Sequence, residues 1–228
     1  MLVSGKQILQ ISDYLLAGLI AVELLILIAY LGSISVSGEV YHPVDFDGQA
    51  TLPSLLQALH FLALGCLILW LLPQPRSRFP HPSRPFLITF AVLVFYAAID
   101  ELLKIHLHLH QLLAGGDWKW LYLSLFTAIM VWRYRDFVAL WHHYRRETCL
   151  VLLGIGVFVL GGYGSEILKD FLSAGASYQA ITREHIFEVS IENLRVAYEE
   201  SSELVGENLI LYACLQFVGK RLGDILPR

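Results

Sequence analysis

With 228 residues, of which 56% are hydrophobic and only 16% charged, the chain carries far fewer charges than the roughly 25% usual in soluble domains, and its mean hydropathy of +0.59 places the apolar excess in lipid. A formal charge of -4 and a pI near 6.1 leave no basic surface for nucleic acid. The three cysteines, Cys66, Cys149 and Cys214, all lie in or beside apolar runs, so they exclude a disulfide framework and read as small buried hydrophobes.

Crossing the hydrocarbon takes about 20 mostly apolar residues. Six runs qualify in chain order: Tyr14 to Leu31, Leu52 to Leu72, Phe86 to about His110, Trp118 to Trp132, Cys149 to Tyr163, and a long helix from about Glu184 to Val218. The first contains Glu23, is longer than a signal-peptide core and has no clean small-residue cleavage site after it, so it reads as a spanning helix. Pro53 suits the first turn of the second run, and Pro73 and Pro75 close it. Gly115 and Gly116 close the third run, and Asp117 is placed to cap the fourth. The expectation is an all-α integral membrane protein of six transmembrane helices, with residues 1–228 forming a single domain.

Short loops rich in Lys and Arg stay on the cytoplasmic side. Lys6, Arg76, Arg78, Arg84, Arg133, Arg135, Arg145, Arg146, Lys220, Arg221 and Arg228 fall on one side of a six-helix arrangement, against Lys119, Lys169 and Arg183 on the other. Both termini are therefore expected in the cytoplasm, with a bacterial inner membrane as the location. The first outer segment, Gly32 to Thr51, carries Glu39, Asp45 and Asp47 and no Lys or Arg.

The informative residues are the ionisable ones inside the apolar runs, since each costs about 2.5 to 3.5 kcal/mol on insertion scales and normally faces a bundle interior or aqueous cavity. At about 1.5 Å of rise per residue, Glu23, His60, Asp100, Glu101, Glu203 and Glu207 all fall in one slab in the middle to outer half of the membrane. Glu200, Glu203 and Glu207 are spaced i, i+3, i+7, and Glu192, Glu199 and Glu203 are spaced i, i+7, i+11, which gives the last helix a broad acidic stripe. Lys104 lies one turn after Asp100. Five carboxylates against one lysine and the distant Arg195 cannot all stay ionised in a low dielectric, so protons are held there or a cation is bound. Carboxylates and imidazoles on facing helices make both proton relays and metal sites. For Glu23 or His60 alone a hydrogen-bonded packing role is the simpler reading, whereas four acids together at 100, 101, 203 and 207 demand a compensating role.

His106 and His110 share a helical face at i, i+4, as metal-binding pairs do, although interfacial, water-exposed histidines fit the same position at the outer end of the third run. Haem is not expected, because His60 has no histidine partner at its own depth. No HExxH, paired Glu-x-x-His, P-loop, GxGxxG or GxSxG occurs, so no nucleotide is expected. The glycines at 154, 156, 161, 162 and 164 read as close helix packing.

Three stretches, Val44-Asp-Phe-Asp-Gly-Gln-Ala-Thr-Leu-Pro-Ser54, Asp100-Glu-Leu-Leu-Lys-Ile-His106 and Glu199-Glu-Ser-Ser-Glu-Leu-Val-Gly206, occur in an order that resembles a family of uncharacterised bacterial multi-pass membrane proteins. That family has an acidic Phe-Asp-x-Asp loop ending in Leu-Pro, an Asp-Glu followed by Ile-His-Glu, and a Glu-Glu-x-x-Glu-x-x-Gly helix. Here Leu107 stands where the family pattern has Glu. The resemblance implies that Asp100, Glu101, His106, Glu199, Glu200 and Glu203 act together, and it supplies no activity.

The leading expectation is a cation, a divalent metal first, held between the third and sixth helices by Asp100, Glu101, His106, Glu203, Glu207 and His60. Lys104, Glu23, Glu199 and Glu200 would balance charge around it. Such a site serves a metalloenzyme and a passive stabiliser equally well. The alternatives are a proton or cation pathway through the same carboxylates, and a non-catalytic subunit of a larger membrane complex. The partners expected are the lipid bilayer and either a second copy of the chain or that larger complex.

Overall fold

The computed structural model describes residues 5–74, 82–105, 108, 118–176 and 181–225, the side chains of 118–120, 163, 166, 168–176, 181–191, 224 and 225 excepted. Among the described residues there are seven α-helices and no strand: α1 (Gly5–Ser37), α2 (Leu52–Leu71), α3 (Arg84–Leu103), α4 (Trp118–Trp132), α5 (Tyr134–His143), α6 (Arg145–Ala176) and α7 (Ile181–Ile225). One 3-10 turn, His42–Val44, lies in the loop between α1 and α2. α1, α2 and α3 are each long and apolar enough to cross a membrane.

Local chemistry sets the helix ends. α2 starts with a capping box, in which the Thr51 amide donates to the Ser54 hydroxyl at 3.0 Å and Pro53 occupies the first turn. α3 starts at Ser83, whose hydroxyl accepts from the Phe86 amide, with Pro85 in its first turn. It ends at Leu103, short of the expected His110, because Lys104 takes the left-handed conformation at φ 47° and closes the helix. The fifth and sixth apolar runs are the interiors of much longer helices, of 32 and 45 residues. At about 1.5 Å per residue α7 is about 68 Å long, over twice the thickness of the hydrocarbon. α5 lies in the basic stretch between the fourth and fifth apolar runs. Asp136 in its first turn ties it down, accepting from the Ser83 amide at 2.7 Å and the Ser83 hydroxyl at 2.8 Å, while Phe137 packs edge-on against Phe86.

α7 is the central element, packed against α1, α2 and α6, while α3 lies against α2 and α5 against α6. One apolar core joins Leu64, Ile68 and Leu71 of α2 to Phe86, Ala91 and Val94 of α3 and Leu211, Val218 and Leu222 of α7. A second joins Ile26 and Tyr30 of α1 to Val196, Ala197 and Leu204 of α7, with the α1–α2 loop folded onto it through Phe46, which is fully buried against Tyr30. The α6–α7 contact is made backbone to backbone: a Cβ built on Gly154 would meet the Gly206 carbonyl at 2.6 Å, and one built on Gly206 would meet the Gly154 carbonyl at 2.7 Å. Small residues allow such an approach, which is how helices associate where lipid removes the hydrophobic drive.

The distribution of side chains is inverted relative to a water-soluble bundle. Leu24, Leu25 and Ile28 of α1, Leu59 and Leu62 of α2, Ile88 and Val92 of α3 and Leu153 and Leu160 of α6 are exposed, while Ser12, Glu23, Gln57, His60, Asp100, Lys104, Glu207, Asn208 and Gln216 are buried.

Candidate functional site

The buried polar side chains form a seam along the face of α7 that meets α1 and α2. His60 of α2 and Glu207 of α7 are paired, with 3.1 Å between the imidazole Nδ1 and the carboxylate Oε2, and each is at most 2% exposed. One residue along, the Asn208 amide donates to Glu23 Oε1 of α1 at 2.5 Å. Toward the outer end, the Gln57 amide donates to Glu200 Oε2 at 3.4 Å. Toward the other end, the Gln216 amide donates to the Ser12 hydroxyl at 2.8 Å, and the Tyr212 hydroxyl to Asp13 Oδ1 at 2.9 Å. From Glu200 to Gln216 the seam runs about 24 Å along α7, most of the roughly 30 Å of a bilayer's hydrocarbon.

Its hydrogen bonding is incomplete and lopsided. Glu23 Oε2, Gln57 Oε1, Glu207 Oε1 and Asn208 Oδ1 are buried acceptors with no hydrogen-bond partner among the described residues, and His60 Nε2 is in the same state. The interior therefore has more acceptors than donors, a deficit that a proton, a water or a cation would fill.

The described candidate residues from the sequence divide into four groups. His60, Glu207, Glu23 and Glu200 lie on the seam. Lys104 is buried at the end of α3, paired with Glu101 Oε2 at 3.0 Å and close enough to Glu200 and Glu203 for their charges to act on it. Glu199 and Glu203 face α6, where Gly162 leaves room in front of both carboxylates; Glu199 also accepts from the Ser165 hydroxyl at 3.2 Å and is held by Arg195, which pairs with Glu192 as well. Asp100 accepts from the Tyr122 hydroxyl of α4 at 3.4 Å, with the Tyr96 and Tyr122 hydroxyls 2.9 Å apart. His106 and His110 lie outside the described residues.

Asp100 thus meets Tyr122 of α4, whereas Glu207 meets His60 of α2. Among the described residues no three His, Cys, Asp or Glu side chains are grouped so as to hold a metal ion. The residues that sequence reasoning missed are the amides and hydroxyls: Gln57, Asn208, Gln216 and Ser12. A signal was present, since each interrupts an otherwise apolar run or adjoins a buried acid, and an uncharged polar group in lipid also needs a partner.

No curated protein and no solved structure matches the chain. A family model described as a domain of unknown function (DUF8692) matches residues 15–218, which takes in every element of the seam except the first turns of α1 and the last of α7, and the chain belongs to that family.

Proposed function

We propose that the protein is a six-span integral membrane protein of the bacterial inner membrane, with both termini in the cytoplasm, and that its polar seam takes up and passes a cation, in the simplest case a proton. α1 to α4, the middle of α6 and the inner half of α7 would be the spans. The inverted distribution of side chains and the one-sided placement of Lys and Arg support this arrangement.

The observation that carries the functional reading is the set of five buried polar atoms without partners among the described residues. Leaving a buried donor or acceptor unsatisfied costs about 1 to 3 kcal/mol. A row of five such atoms therefore favours a seam that takes up protons, water or a cation. The His60–Glu207 pair is suited to moving protons. Imidazole can receive on one ring nitrogen and release from the other, and Nδ1 is committed to Glu207 while Nε2 is open. Gln57 and Asn208 hold Glu200 and Glu23 in register on either side of that pair. Lys104 balances Glu101 at the outer end. A divalent metal would want three or more hard ligands converging on one point, which the described seam residues do not provide.

The test is flux in proteoliposomes with a pH-sensitive dye inside. Wild-type vesicles are expected to dissipate an imposed proton gradient faster than empty ones, and Glu207→Gln is expected to slow this at least about ten-fold, a change of about 1.4 kcal/mol in barrier height. Wild-type vesicles no faster than empty ones would overturn the reading. Stoichiometric metal in the purified protein by elemental analysis would replace it with the metal-centre reading.

A further inference from the structure

At the basic end of the bundle, outside the seam, Arg221 of α7 is 7% exposed, and its Nε and Nη1 are buried with no hydrogen-bond partner among the described residues. Among the described residues nothing neutralises it. The guanidinium carbon lies 5.8 Å from the centre of the Phe217 ring, whose other neighbour, the Tyr144 ring, is 4.7 Å away. Glu147, in the first turn of α6, is paired with Lys220 at 2.5 Å. Asp136 is taken by Ser83.

A buried guanidinium without a counter-charge is costly, and its planar fork of donors matches the oxygens of phosphate. Two further features point to the source of that phosphate. α6 begins at Arg145, beside Tyr144, so the positive end of a 32-residue helix opens at the same corner. Trp132 at the end of α4 and Tyr134 and Trp141 of α5 are exposed, and Arg133 lies over the Trp132 ring at 3.7 Å, the pairing of aromatic and basic groups found at headgroup depth.

We infer that Arg221, at the corner formed by Tyr144 and the start of α6, is a binding site for the phosphate group of an anionic phospholipid. The inference rests on the membrane reading above but not on the cation seam, so a failed flux assay would leave it standing.

The test compares thermal melting of the full chain in detergent on adding phosphatidylglycerol, phosphatidylcholine or inorganic phosphate, together with native mass spectrometry of the delipidated protein. Phosphatidylglycerol is expected to raise the melting temperature by several degrees and to be retained at one molecule per chain, with phosphatidylcholine without effect. Arg221→Met is expected to abolish the shift, and Arg221→Lys to keep part of it, since an ammonium supplies charge without the fork. An equal shift from both lipids would overturn the site, as would an unaltered shift in Arg221→Met. An equal shift from millimolar inorganic phosphate would overturn the lipid as its source. Asp224, three residues on, has a side chain outside the described residues; a lipid response seen in Asp224→Asn but absent from the wild type would show that Asp224 is the counter-charge and overturn the proposal. Should Arg221→Met fail to fold, the retained lipid in the wild type decides: none bound is a refutation.

Discussion

His60→Ala is expected to destabilise the bundle by about 3 to 5 kcal/mol, the combined effect of a cavity and of a buried hydrogen-bonding partner removed, whereas Glu207→Gln is expected to lose less than about 1.5 kcal/mol. The difference follows from what each change leaves behind. Without the imidazole, Glu207 has no partner on either oxygen among the described residues, and a side-chain-sized void opens at the α2–α7 contact. Glutamine keeps the volume and a hydrogen-bonding group opposite His60 Nδ1, and removes only the ability to carry the proton. Glu207→Gln should therefore fold normally while losing flux, and His60→Ala should lose both. Unfolding in mixed detergent gives the stabilities. Equal losses in the two variants would mean that the pair is a packing contact.

Gly206→Leu is expected to prevent α6 and α7 from packing, with a loss of at least about 3 kcal/mol. A Cβ at 206 meets the Gly154 carbonyl at 2.7 Å and the Phe158 Cβ at 3.0 Å. The first is backbone, which cannot rotate aside, so the helices must separate, and overpacking that rearranges backbone costs about 1 to 3 kcal/mol or more. Gly156→Ala, whose Cβ would meet nothing within 4 Å, is the matched control and should be nearly silent. The same unfolding assay checks both. A Gly206→Leu protein as stable as the wild type would mean that α6 does not pack against α7 in this way.

Much of the helix pattern was legible because it rests on local signals. Pro53 and Thr51 mark the start of α2, and Ser83 and Pro85 mark that of α3. The long apolar runs needed no tertiary information. The break at Lys104 was not legible, since a lysine in the left-handed conformation is an exception that neighbours impose. Its buried ammonium, drawn to Glu101, Glu200 and Glu203, is the group that gains from it. α5 was hidden for a similar reason: Asp136 is an unremarkable acid in a basic stretch until Ser83, 53 residues earlier, arrives beside it. In the candidate site, depth along each helix was readable from residue counts, and it brought Glu23, His60 and Glu207 to one level. Azimuth was not readable. Asp100 accepts from Tyr122, 22 residues on, a contact that depends on which helix neighbours which in the assembled bundle.

The seam on α7 also bears on how the protein is made. A segment from Glu200 to Val218 offered alone to the insertion machinery carries three glutamates at about 2.5 to 3.5 kcal/mol each, while its Leu, Ile, Val and Phe residues return only about 0.3 to 0.6 kcal/mol apiece. Its balance as a solitary helix is unfavourable by several kcal/mol. The partners that satisfy it, Glu23, Gln57 and His60, lie on α1 and α2, which are apolar enough to enter first and are synthesised first. Chain order and polarity therefore agree: the early helices wait in the bilayer as a template, and the last one enters as a ligand of the others. In a chain lacking α1 and α2, a glycosylation or protease reporter placed after α7 should show that helix left outside the membrane.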